Sequence, residues 1–162
     1  MPEGMGSGAP LRWWERYLAS VTNDYRRVYV GVYVALSGGL FGVVSWLLYV
    51  WSLAAETTLW TVREAAFAAG PLGLALVLFG FVSLVTADQP LVPWYVRRTK
   101  WTGFAGCLGG LTVFLYAYPS AWNVPGTDYS LIGVSLFGAG LALMFLAGFV
   151  AIHERRTSPR LR

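Results

Sequence analysis

Four long apolar stretches without a single charged side chain dictate what this chain can fold into. They run from Val28 to Leu53, from Ala65 to Ala87, from Trp101 to the break at Pro119, and from Ser130 to Ile152. Each offers about 18 or more residues, and at roughly 1.5 Å per residue that is enough to cross a hydrocarbon core of roughly 30 Å. A core helix of a soluble protein would show a polar face at helical spacing, and these runs show none. The two-residue alternation of a membrane β-barrel is also missing. Inside lipid every backbone N–H and C=O must be satisfied within its own segment, which leaves helices. The expectation is therefore an all-α bundle of four transmembrane helices, with spans at about 28–53, 65–87, 101–118 and 130–152.

Composition points the same way. Of 162 residues, 56% are hydrophobic and 12% are charged, about half the charged share of roughly a quarter that a water-exposed surface requires. The net charge of +4 is not spread as a nucleic-acid footprint, because no basic patch interleaves with base-stacking aromatics. The basic residues instead flank the hydrophobic runs. Arg12, Arg16, Arg26 and Arg27 precede the first; Arg97, Arg98 and Lys100 separate the second from the third; Arg155, Arg156, Arg160 and Arg162 follow the fourth; only Arg63 lies on the other side. The positive-inside bias then places both termini and the middle loop in the cytoplasm of a plasma-membrane protein. Ser52-Leu53-Ala54 has small-x-small cleavage spacing, but the run before it far exceeds a signal-peptide core of about 7–15 residues, so the first span stays as an anchor.

Aromatic side chains mark the two surfaces, since an indole or phenol carries an apolar ring and a polar tip. Trp46, Tyr49, Trp51 and Trp60 gather at the outer end of the first hairpin, and Tyr116, Tyr118 and Trp122 at that of the second, while Trp94, Tyr95 and Trp101 flank the inner loop. Residues 1–10, rich in Gly and Pro, read as a disordered tail. Residues 11–27 form a basic segment in which Trp14, Tyr17, Leu18 and Val21 share helical spacing, as expected of a short interfacial helix. Residues 153–162 form a basic cytoplasmic tail.

Apolar side chains gain little by leaving lipid for one another, so helices in a membrane associate through close backbone approach. Gly38 with Gly42 and Gly106 with Gly110 form GxxxG pairs, and Ala69 with Gly73 and Gly138 with Ala142 add looser ones. Four helices in one chain pack against each other first, so these pairs are assigned to intrachain contacts ahead of a homo-oligomer. Gly70-Pro71 suggests a kink or a loosened first turn in the second span, because proline lacks the N–H.

The side chains that carry chemistry are scarce. No span holds an ionisable group of the kind proton coupling requires. His153, the single histidine, cannot supply facing haem ligands or a zinc set, and Cys107 has no thiol partner. Ser45, Ser83 and Ser135 lack a base at their depth and read as helix–helix hydrogen bonders. The expectation is that the chain is not an enzyme and holds no cofactor or metal. Two outer polar clusters are left as candidate interaction positions. Arg63 and Glu64 open the second span, with Thr61 and Glu64 at capping-box spacing. Tyr116, Tyr118, Pro119, Trp122 and Asn123 form the turn after the third.

The order of these features resembles a family of haloarchaeal four-helix membrane proteins of unknown function. The resemblance rests on Asp24-Tyr25-Arg26-Arg27-Val28-Tyr29-Val30-Gly31, on Arg63-Glu64-Ala65-Ala66 and on Tyr118-Pro119-Ser120-Ala121-Trp122-Asn123, over roughly Asp24 to Ile152. It implies a prokaryotic plasma membrane and brings no activity, substrate or catalytic residue. The expected role is a noncatalytic accessory or assembly partner, embedded in the lipid bilayer and bound to another membrane protein or to copies of itself. The alternative is an oligomeric transporter or channel component, which would require Ser45, Ser83, Thr112 and Ser135 to converge on one path.

Overall fold

The computed structural model describes the backbone of residues 9–54, 60–87, 92–126 and 128–157, and the side chains of 25–54, 61–87, 92–126 and 128–154. Within these residues the chain is four helices and no strand: α1 (Ala9–Ala54), α2 (Trp60–Ala87), α3 (Trp94–Ala117) and α4 (Ser130–Thr157). Three of them contain segments long and apolar enough to cross a membrane, namely Tyr25–Ala54, Thr61–Ala87 and Ser130–Glu154. The third run is shorter. Arg97, Arg98 and Lys100 occupy the start of α3, and the helix stops at Ala117 ahead of Pro119, where the Tyr118 N–H closes the last turn on the Phe114 carbonyl at 2.8 Å.

Two helix starts differ from the sequence expectation. α1 runs unbroken from Ala9 through the basic segment into the first span, so residues 11–27 continue that helix instead of forming a separate one. Pro10 stands in the first turn, where its missing N–H costs nothing, and neither Gly nor Pro interrupts the chain from there to Gly31. The amphipathic face expected for residues 11–18 and the tail beyond 157 fall outside the described residues, as do residues 1–8. α2 begins at Trp60, which puts Thr61 inside the helix and rules it out as the cap of a Thr61–Glu64 box. Pro71 accordingly lies well within α2, not in a loosened first turn, and the helix continues on both sides of it.

Each pair of neighbouring helices forms an antiparallel hairpin, α1 on α2 and α3 on α4. The hairpins meet through α2, which touches both α3 and α4, whereas among the described residues the α1 backbone approaches neither. The packed centre lies where α2, α3 and α4 come together. Ala75, Cys107 and Met144 are buried there with Phe79, Phe104 and Leu141 around them, and Val82, Val96, Ala147 and Ala151 form a second cluster toward the Arg-rich end.

The seams inside the hairpins repeat every seven residues. On α1 the positions facing α2 are Gly31, Gly38 and Ser45, and α2 answers with Gly80, Gly73 and Ala66. A methyl group on Gly38 would stand 2.5 Å from the Gly73 carbonyl oxygen, and one on Gly80 would stand 2.5 Å from the Ala35 amide nitrogen. In the third layer the Ser45 hydroxyl donates to the Ala66 carbonyl at 2.6 Å. The second hairpin repeats the pattern: Val96, Gly103, Gly110 and Ala117 are buried along α3, and Ala147, Gly140 and Gly133 lie opposite the first three on α4. A methyl on Gly140 would meet the Gly103 carbonyl oxygen at 2.5 Å, and one on Gly110 the Gly133 carbonyl oxygen at 2.7 Å.

A seven-residue period keeps one stripe turned toward a left-handed partner, whereas a four-residue pair drifts off it. That drift splits the expected GxxxG pairs. Gly38 sits in the seam, but a side chain on Gly42 would enter open space. Gly110 is tight, and Gly106 borders the same contact, with a methyl there 3.2 Å from the Gly140 Cα. Gly138 faces open space and Ala142 is exposed, so that pair lies outside the seam.

These geometries separate two substitutions one helical turn apart. Gly38→Leu forces backbone apart and is expected to lower stability by about 1–3 kcal/mol, the usual cost of overpacking, while Gly42→Leu changes the same residue type without loss. Thermal unfolding of the two purified variants in one detergent distinguishes them. Equal destabilisation would contradict the seam.

Candidate functional site

Because α1 touches only α2, the two hairpins leave a cleft of about 710 Å³ between α1 and α3, floored by α2, at the end of the bundle where the basic flanks meet. The sequence places Arg26 and Arg27 some seventy residues before Arg97 and Lys100, and the fold brings all four to this cleft. Lys100 bends inward. Its ammonium donates to the Ser83 hydroxyl at 3.1 Å and lies 4.6 Å from the centre of the Phe79 ring and 5.9 Å from that of Trp101. Ser83 in turn donates a hydrogen bond to the Phe79 carbonyl at 2.7 Å, and the expectation that it has no base at its depth does not hold, because the start of α3 packs beside α2 and sets the Lys100 amine within its reach. Arg98 turns away from the cleft and stacks over Trp94 at 5.0 Å.

Beside it, Tyr95 on α3 donates its phenol proton to the Glu154 carboxylate on α4. That hydrogen bond, followed by desolvation and the carboxylate's charge, holds the Tyr95 phenol above its ordinary range. The contact ties the end of α4 to the start of α3, on the same side of the bundle as the basic cleft.

The outer turn is organised by aromatic packing. Tyr118 stacks on Phe114 at 4.9 Å, Trp122 meets Phe114 edge-on at 5.0 Å, and Phe67 of α2 lies 6.1 Å from Tyr118. Together with Pro71 they line an apolar cup of about 350 Å³ between the hairpins. Gly133 is required beneath Trp122, since a methyl there would touch the indole at 3.0 Å. Tyr116 points elsewhere: it is 81% exposed and makes only an edge contact with Tyr129 at 6.4 Å. Pro119 follows a cis bond and is exposed. Asn123 adopts the left-handed conformation, with φ of 58°, and its N–H donates to Asp128 at 2.9 Å. Hydrogen bonds from the Ser130 side chain and N–H, and then from Asn123, hold the Asp128 carboxyl below its ordinary range against a smaller opposing desolvation.

The candidate interaction positions therefore do not form one site. Tyr118 and Trp122 line the cup, Tyr116 stands apart, and Arg63 and Glu64 lie half-buried on the early turns of α2. The hydroxyls expected to line a path do not converge. Ser45 binds α2 inside the first seam, Ser83 lines the basic cleft, Thr112 is exposed and bonded to the Leu108 carbonyl, and Ser135 is exposed on α4. Among the described residues no three His, Cys, Asp or Glu side chains come together.

The family model that matches the chain is that of the N-terminal domain of cell division protein A, over residues 11–160. The match takes in the basic segment before Asp24 and the tail after Ile152 that the haloarchaeal resemblance left out. It also brings a named process where that resemblance had none, and nothing in it bears on a haloarchaeal source. No curated protein and no solved structure matches the chain.

Proposed function

The chain belongs to the family of the cell division protein A N-terminal domain, and from that premise we propose that it is a noncatalytic membrane subunit of a cell-division assembly, holding partners at the plasma membrane. The observation that carries this reading is the extent of the match, which covers the helical bundle from Leu11 onward and all of the flanking basic residues except Arg162. The layout supports it. The described part of the chain is helices with short connections, and the described part of α1 leaves most of its surface to lipid or a neighbour. An oligomeric transporter draws no support from hydroxyls as scattered as these.

In this reading α3 also spans the membrane. Its apolar part from Trp101 to Ala117 would rise about 26 Å at 1.5 Å per residue, short for a core of roughly 30 Å. Its seam nevertheless runs beside α4 from Val96 opposite Ala147 to Gly110 opposite Gly133, so if α4 crosses the bilayer α3 lies at the same depth. Lys100 and the arginines can extend to the headgroups. Both termini and the middle loop are assigned to the cytoplasm, supported by the gathering of Arg26, Arg27, Arg97 and Lys100 at one end of the bundle.

A fluorescent fusion is expected to concentrate at the division plane of its native cell, and depletion to yield undivided or enlarged cells; a uniform membrane signal with normal division on depletion would remove the reading. A reporter inserted near Asn123 is expected to be accessible only from outside. Labelling from the cytoplasm would invert the topology.

A further inference from the structure

The geometry points to the basic cleft between α1 and α3 as a binding site for one phosphate-bearing anionic lipid, its headgroup held by Arg26, Arg27, Arg97 and Lys100 and its chain lying in the gap between the two helices. Rim and wall call for different chemistry. At the rim four cations from two stretches of the chain, the α1 and α3 helices, face one opening, and among the described residues no carboxylate lines it. Like charges gathered at the edge of a low-dielectric layer repel one another, and an anion placed among them removes that cost. Arginine forks and a lysine ammonium suit phosphate oxygens, and basic pockets between helices on the cytoplasmic side are where lipid phosphates settle.

Below the rim the cleft turns apolar, with Val30 and Val34 of α1 facing Phe79 of α2 and Trp101 of α3. Since α1 and α3 make no contact along this gap, something with apolar length has to fill it in a membrane. A free anion would satisfy the rim and leave the wall empty. A phospholipid satisfies both. Lys100 marks the junction, because its ammonium already leans on the Phe79 ring and holds the Ser83 hydroxyl, with further N–H donors to give. The site depends on the chain lying in a bilayer and stands whether or not it serves division.

The full chain, purified in a zwitterionic detergent, is titrated with phosphatidylglycerol, phosphatidylcholine, glycerol phosphate and inorganic phosphate, and read by retained lipid in native mass spectrometry and by melting temperature. Phosphatidylglycerol is expected to be retained at least about fivefold more tightly than phosphatidylcholine, and Arg97→Gln with Lys100→Gln to reduce that retention by about fivefold per charge removed. Arg98→Gln removes the same single charge as Lys100→Gln, two residues from it and outside the cleft, and is expected to leave retention unchanged.

Equal retention of the two lipids overturns the proposal, as does an equal loss in Arg98→Gln, which would mean a diffuse surface field. Stabilisation by inorganic or glycerol phosphate as strong as by phosphatidylglycerol would mean a free-anion site and overturn the lipid assignment. Should the double variant not fold, the wild-type lipid preference and Lys100→Gln alone carry the same outcomes.

Discussion

Backbone-to-backbone contact along two stripes of small residues is the interaction on which the rest of this structure depends. Lipid is as apolar as leucine, so burying side chains against one another does little to hold membrane helices together. Removing the side chain from every seventh position does more, because it lets two backbones approach until only Gly, Ala or Ser fits between them. Gly31, Gly38 and Ser45 against Gly80, Gly73 and Ala66 make one hairpin this way, and Gly103 and Gly110 against Gly140 and Gly133 make the other. The arrangement also explains the clefts. With Gly31, Gly38 and Ser45 turned to α2, the other described glycines of α1, Gly39 and Gly42, face open space, and the gap between the hairpins is left open to larger groups.

The helices were legible in the sequence because a membrane span is specified by an absence: charge disappears over the length a bilayer requires, and nothing else reproduces that pattern. Packing was legible only in kind. Counting small residues four apart found Gly38 and Gly110, which lie in the seams, and also Gly42 and Gly138, which face open space. Where glycines are this frequent, spacing along one helix cannot reveal which of them a partner meets. The period of seven emerges only when both antiparallel strands of the hairpin are read together, at positions whose numbers rise on one helix as they fall on the other. The unbroken α1 was missed for another reason: its change from basic to apolar at Val28 is a change of environment, and a helix crosses such a boundary when no Gly or Pro lies on the approach to it, as from Leu11 to Val30.

The candidate site was the least legible part. Arg26, Arg27, Arg97 and Lys100 are satisfactory topology signals as they stand, and nothing local tells that they share a cleft with Ser83, since the turn that brings them together is made by α2 between them. In the outer turn the sequence offered three aromatics as one cluster, but helical geometry separates Tyr116 from Tyr118 as α3 ends, sending one to the surface and the other onto Phe114.

Two tightly seamed hairpins that leave α1 clear of α3 and α4 are the core of this account, and oxidative cross-linking in native membranes tests them most directly. With Cys107 replaced, Ser45→Cys paired with Gly70→Cys has Cβ atoms 3.7 Å apart, close to the spacing of about 3.8 Å in a disulfide. This pair is predicted to close within one chain, and Ser45→Cys alone in a chain that keeps Cys107, which would join α1 to α3, to stay reduced. A disulfide within one chain in the second variant, or none in the first, would contradict the account.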